Sequence, residues 1–158
     1  MRATRINHVS IPADDLDTSA RFYEHLFGLE RLPTPRFSND VLWLRLGEQQ
    51  LHLFLPDGDE PQPHQHLAFD VDDFDAVYAR AKEMGILDSR AFGSPLRSHP
   101  AGWAQLYLRD PAGNLVEIDC PDAAALAPET RADVAPLEDS VEQTGDAAIA
   151  TLYHAKAV

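Results

Sequence analysis

Four side chains able to bind a metal ion or move a proton occupy matched positions of an internal repeat. His8 falls on His66, and His52 falls on Glu117. The first match lies in HVSIPADDLDTSAR (8–21) against HLAFDVDDFDAVYA (66–79), where Asp14, Asp15 and Asp17 also meet Asp72, Asp73 and Asp75. The second lies in QLHLFLPDG (50–58) against LVEIDCPDA (115–123), where Pro56 and Asp57 meet Pro121 and Asp122. Between them, LWLRLG (42–47) matches LYLRDP (106–111). Imidazole nitrogens and carboxylate oxygens are ligands for divalent ions, and imidazole also exchanges a proton near neutral pH. If a pseudo-two-fold axis relates the repeats, all four side chains can converge on it. That gives a geometric reason for a metal site built from residues more than 100 positions apart. A carboxylate such as Glu117, buried on a strand, would be costly without a cation.

The elements that must position these residues parse alike in both repeats. Arg5–Pro12 alternates and reads as a strand. Asp14 or Asp15 caps a helix that runs to about Phe27 and stops at Gly28, with Leu16, Ala20, Tyr23 and Phe27 as its apolar face. Glu30–Thr34, Val41–Leu46 and Gln49–Leu55 read as three strands, and the Pro-rich 56–64 as a linker. The second repeat predicts a strand at His66–Val71 and a helix at Asp73–Met84 stopped by Gly85. Strands follow near Arg90–Gly93, Trp103–Arg109 and Leu115–Cys120. The fold class is α+β, a βαβββ unit twice. One domain spans 1–122, with modules at about 4–55 and 64–122 joined by 56–63. An acidic, Ala/Pro-rich extension follows at 123–158, with a short helix expected in Asp146–Ala157. It is expected to pack on the domain or on a second chain.

Strand alternation sorts the faces. Leu42, Leu44, Leu46, Leu106, Leu108, Val116 and Ile118 should pack on the helices. Trp43, Arg45, Gln105, Tyr107, Glu117 and Asp119 should line a polar, aromatic cleft. The 158 residues suit a single domain that buries roughly 70% of its unfolded surface. A net charge of −13 disfavours nucleic acid and anionic membranes as partners. No apolar run approaches the ~20 residues that span a bilayer. Cys120 is the one cysteine, so no internal disulfide can form and a cytoplasmic setting is expected. Small-molecule chemistry or protein contact remains, with a homodimer as an open option. His25, His64 and His154 read as solvated surface residues.

NHVSIPADDLDTSARFYEHLFGLE (7–30) and DPAGNLVEI (110–118) resemble the vicinal oxygen chelate superfamily. That superfamily includes glyoxalase I, methylmalonyl-CoA epimerase, fosfomycin- and bleomycin-resistance proteins and type I extradiol dioxygenases. The resemblance covers about residues 4–122 and implies His8, His66 and Glu117 as metal ligands, with His52 at an optional fourth position. Two imidazoles and a carboxylate form a facial triad of the kind used by non-haem Fe(II) oxygenases, and the same ligand types hold catalytic zinc.

The stretch from His99 through Tyr107 to Glu117 further resembles the signature of extradiol ring-cleavage dioxygenases. Arg97 departs from it, standing where a small or apolar residue is usual. This resemblance implies His52 as acid–base, Tyr107 as hydrogen-bond donor to a substrate oxygen, and His99 near the substrate. The expectation is therefore an Fe(II)-dependent ring-cleaving dioxygenase acting on a small catechol-like aromatic. A glyoxalase- or epimerase-like lyase or isomerase using Zn, Mn, Ni or Co, with His52 as a fourth ligand, is the alternative. A non-catalytic ligand-binding or resistance protein is the third reading.

Overall fold

The structure is a computed structural model that describes residues 8–34, 40–55 and 66–150. Its backbone groups into two compact units. Both units carry the βαβββ order, and the fold is mixed α+β with one sheet in each.

In the first unit, β1 (His8–Pro12) leads into α1 (Leu16–Phe27), followed by β2 (Glu30–Leu32), β3 (Val41–Leu46) and β4 (Gln49–Phe54). The helix starts where Asp15 turns out of extended backbone and its carboxylate accepts the Thr18 N–H at 2.7 Å. It ends at Gly28, whose φ of 66° is left-handed and suits a residue without a Cβ. Its buried face is Ser19, Ala20, Phe22 and Tyr23. The sheet order is β1-β4-β3-β2, with β1 and β4 parallel and the other pairs antiparallel. Leu44, Leu51 and Leu53 are fully buried, whereas Trp43 and His52 on the opposite face are half-buried. The expected sorting of faces in this sheet therefore holds, since a slip of one residue would exchange them.

The turn Asp110–Asn114 groups with this first unit. Asp110 Oδ1 accepts the Ala112 and Asn114 N–H groups, and Tyr23 donates its hydroxyl to Asp110 Oδ2 at 2.9 Å. Asn114 Nδ2 donates to Asp110 Oδ2 and to the Pro12 carbonyl, both at 2.7 Å. The Asp-Pro-Ala-Gly-Asn segment is thus a closed polar knot, with Tyr23, Asp110 and Asn114 all buried.

In the second unit, β5 (His66–Asp70) and α2 (Phe74–Met84) precede β6 (Leu96–Ser98), β7 (Ala104–Arg109) and β8 (Leu115–Cys120). Asp73 caps α2 through the Ala76 N–H, and Gly85 ends it with φ 68°. The sheet order is β5-β8-β7-β6-β9. The registers of the two units match residue for residue. His8 pairs with Gln50 and His66 with Leu115; Trp43 pairs with His52 and Tyr107 with Glu117. The sequence repeat is thus also a repeat of hydrogen-bonded neighbours.

One expectation changes here. Arg90–Phe92 forms a turn, and the strand begins later, at Leu96. Asp88 decides this locally: its Oδ1 accepts the N–H groups of Arg90 and Ala91, which curls the backbone away from extension. The segment beyond Cys120 supplies a short helix α3 (Pro128–Arg131), a fifth strand β9 (Ala135–Pro136) parallel to β6, and a short helix α4 (Asp146–Ile149). Leu126 and Thr130 are buried. Arg5–Asn7, the linker 56–64 with His64, and the chain after Ala150 with His154 lie outside the described residues. Among the described residues no helix is long and apolar enough to cross a membrane.

Asp88 also anchors the end of β7, because Arg109 Nε donates to its Oδ2 at 3.0 Å and Arg90 Nε at 3.1 Å. Burial alone would raise its carboxyl, but the hydrogen bonds from Arg109, the Ala91 N–H and Arg90 bring it down to about 2. A depressed folded pKa stabilises above the unfolded value of 3.8 and is lost as pH falls towards about 2. Asp88→Asn should therefore cost roughly 1.5–3 kcal/mol in urea unfolding at pH 7, the worth of hydrogen bonds to a charged group. The gap from wild type should close as pH falls through that window. A pH-independent gap would show that the charge is not what stabilises the turn.

Candidate metal and acid–base site

The four repeated side chains fall into two pairs, one per unit. In the first unit, Trp43 on β3 and His52 on β4 are cross-strand partners, and their rings stack with centroids 4.3 Å apart and planes within 6°. The His8 ring stacks on His52 at 4.3 Å and 17°. His52 is therefore the middle of a three-ring column that runs across β3, β4 and β1. Its Nε2 lies 2.8 Å from Gln50 Oε1, and because an amide oxygen only accepts, Nε2 carries the proton. Burial, and then the neighbouring His8, lower its pKa from 6.5, so the ring is neutral at pH 7. A neutral ring keeps a lone pair on Nδ1 that can accept a proton or a metal ion.

In the second unit, β8 lies between β5 and β7, and Glu117 pairs with Ala68 on one side and Tyr107 on the other. His66 Nε2 lies 3.4 Å from Glu117 Oε2. Glu117 is only 4% exposed, and its Oε1 accepts a 2.5 Å hydrogen bond from Gln105 Nε2. Tyr107 donates its hydroxyl to Gln105 Oε1 at 2.9 Å, and His99 Nε2 lies 2.8 Å from the same oxygen. His99 stacks on Trp103 at 3.5 Å. Phe92 packs against Tyr107 at 4.6 Å and meets the His66 ring edge-on. Burial, and then the Glu117 charge, push the Tyr107 phenol far up, so it stays a donor at any ordinary pH.

Asp119 adds a second carboxylate on this face, with Oδ1 buried and without a hydrogen-bond partner. Burial, followed by Glu117, holds its carboxyl well above the ordinary range. Two buried carboxylates, one with an orphaned oxygen, make the second unit's face electron-rich, and a divalent cation would relieve that. The residues present fit such an ion in ligand type.

The structure thus brings His8 to His52, His66 to Glu117, and Tyr107 and His99 to a shared amide. Among the described residues, no three His, Cys, Asp or Glu side chains gather as a metal site within either unit. His25 is exposed on α1. Strand alternation places Gln105 and Asp119 on the polar face, but residue type gives no sign that Gln105 joins three of its neighbours. The ring column was equally hidden, because cross-strand register is not written in local sequence.

The model of the glyoxalase/bleomycin resistance protein/dioxygenase superfamily matches residues 5–118. The metallothiol transferase FosB of Lysinibacillus sphaericus is 30% identical over 125 residues, covering 74% of this chain and 82% of that protein. Human mitochondrial methylmalonyl-CoA epimerase is 28% identical over 131 residues, covering 73% of each. The crystal structure of a lactoylglutathione lyase from Agrobacterium tumefaciens superposes with a TM-score of 0.59 at 28% identity, covering 75% of this chain and 94% of that one. A transferase, an epimerase and a lyase are thus similar to one chain, and the fold alone does not name a reaction. The match spans most of the chain, and this protein belongs to the glyoxalase/bleomycin resistance protein/dioxygenase superfamily.

Proposed function

We propose that the protein is a divalent-metal-dependent enzyme that binds a small, oxygen-bearing substrate through two adjacent oxygens, with His8, His66 and Glu117 holding the ion. The observation that carries this reading is the equal register of the two sheets. It gives His8 and His66 the same place beside β4 and β8, and His52 and Glu117 the same place within them. When bound, the ion supplies Lewis-acid polarisation of the chelated oxygens. His52, neutral at pH 7, exchanges a proton with the substrate. The Tyr107 hydroxyl, whose single proton points to Gln105 in the substrate-free protein, turns to a substrate oxygen when substrate binds. The named relatives favour an isomerase, lyase or transferase reaction over an oxidation.

Ring cleavage of a catechol-like aromatic with Fe(II) is the second reading. It is favoured by the meeting of the signature residues His99 and Tyr107 at one amide beside Glu117. One experiment separates these readings. Protein loaded in turn with Fe(II) under anaerobic conditions, Mn(II), Zn(II), Ni(II) and Co(II) is assayed on four substrate classes. These are hemithioacetals, α-acidic thioesters, epoxides with a thiol, and catechols with oxygen uptake. Turnover of the first three classes supports the isomerase, lyase or transferase reading. Oxygen uptake that depends on Fe(II) and catechol supports ring cleavage. Ligand binding with no turnover in any class would overturn both in favour of a sequestering protein.

A further inference from the structure

Gln105 sits on β7, one pleat repeat from Tyr107 and opposite Asp119 on β8. It is 9% exposed, so its amide has few partners other than protein groups. Oε1 receives Tyr107 Oη at 2.9 Å and faces His99 Nε2 at 2.8 Å, and Nε2 contacts Glu117 Oε1 at 2.5 Å. An amide has one acceptor end and one donor end, and a carboxylate can only accept when ionised. The end facing Glu117 is therefore the NH₂, and the end facing His99 and Tyr107 is the carbonyl. That orientation requires His99 to carry its proton on Nε2. The His99 ring is itself fixed, stacked on Trp103, whose indole N–H donates to the Ala150 carbonyl at 2.9 Å.

We infer that Gln105 is a positioning residue that fixes the Glu117 carboxylate, with its own amide oriented by His99 and Tyr107. The charge-assisted bond to Oε1 sets the carboxylate's rotation and directs Oε2 towards His66, 3.4 Å away. His99 acts here through Gln105. The consequence for metal affinity rests on the reading of Glu117 as a ligand, whereas the hydrogen-bond chain does not. Outer partners of this kind orient a ligand in advance, and their loss commonly costs about 10–100-fold in metal affinity.

The test has two arms. In metal-free protein, ¹⁵N NMR of His99 should show the Nε2–H tautomer, and the Gln105 side-chain amide resonances should move in Glu117→Gln. An Nδ1–H tautomer would place the amide the other way round, with its carbonyl towards Glu117, and would overturn the inference. In the second arm, Mn(II) affinity is followed by the EPR signal of the free ion. The near-isosteric Gln105→Met should bind about 10–100-fold more weakly while its unfolding midpoint shifts little. Unchanged affinity would overturn the positioning role. If wild-type protein fails to bind Mn(II), the metal reading falls, and the tautomer and amide shifts decide the hydrogen-bond chain by themselves. Should Gln105→Met not fold, the same NMR measurements on wild type and Glu117→Gln decide it.

Discussion

Glu117→Ala should weaken Mn(II) binding by roughly 10²–10⁴-fold, since removing one charged partner from a buried pair costs about 3–5 kcal/mol. Three observations set that size. Glu117 is nearly inaccessible, it already receives Gln105 on one oxygen, and its other oxygen faces His66. A carboxylate held this way needs little further ordering to bind an ion, so its loss is felt almost fully. The substitution also removes a negative charge beside the raised carboxyl of Asp119. The metal-free variant should therefore unfold no more easily than expected for a lost side chain of its volume. Titration of Mn(II) against wild type, Glu117→Ala and the surface control His25→Ala separates the effects. Full metal occupancy in Glu117→Ala would remove the central reading of the site.

His52→Gln should retain Mn(II) within a few-fold yet lose about 10²–10⁴ in turnover on whichever substrate class proves active, the usual worth of a positioned acid–base. Its position supports this. Trp43 and His8 flank the imidazole on both faces, Gln50 fixes the proton on Nε2, and the lowered pKa keeps the ring neutral. A base needs a free lone pair, and a ligated imidazole has already given its lone pair to the metal. If His52→Gln loses metal together with activity, His52 is a fourth ligand. The glyoxalase-like alternative then replaces the acid–base role. Comparing kcat with metal affinity in this one variant thus distinguishes the two roles.

Much of the architecture was legible because it rests on short-range rules. Asp15 and Asp73 begin helices by accepting an N–H three residues ahead, and Gly28 and Gly85 end them by taking a left-handed turn. Period-two alternation separated Leu44 and Leu108 from Trp43 and Tyr107. The repeat matches His8 to His66 and His52 to Glu117, and the strand registers carry the same equivalence. The strand expected near Arg90–Gly93 gives way to a turn because the Asp88 carboxylate accepts the N–H groups of Arg90 and Ala91, while Arg109, far along the chain, holds the same carboxylate.

The sequence by itself carried a resemblance to the family in 7–30 and 110–118, and its repeat marked the candidate donors: His8 and His66, and His52 and Glu117, at matched places. The tertiary structure alone decided what those donors touch. It placed His52 inside a column of rings, made Gln105 the junction of Tyr107, His99 and Glu117, and left one oxygen of Asp119 without a partner. It also added β9, from beyond the repeats, as a fifth strand. The physical reason is common to all of these. Alternation fixes which face a side chain takes, but hydrogen-bond partners and stacking neighbours depend on which strand lies alongside and in what register. Those are long-range choices set by the packing of the whole sheet.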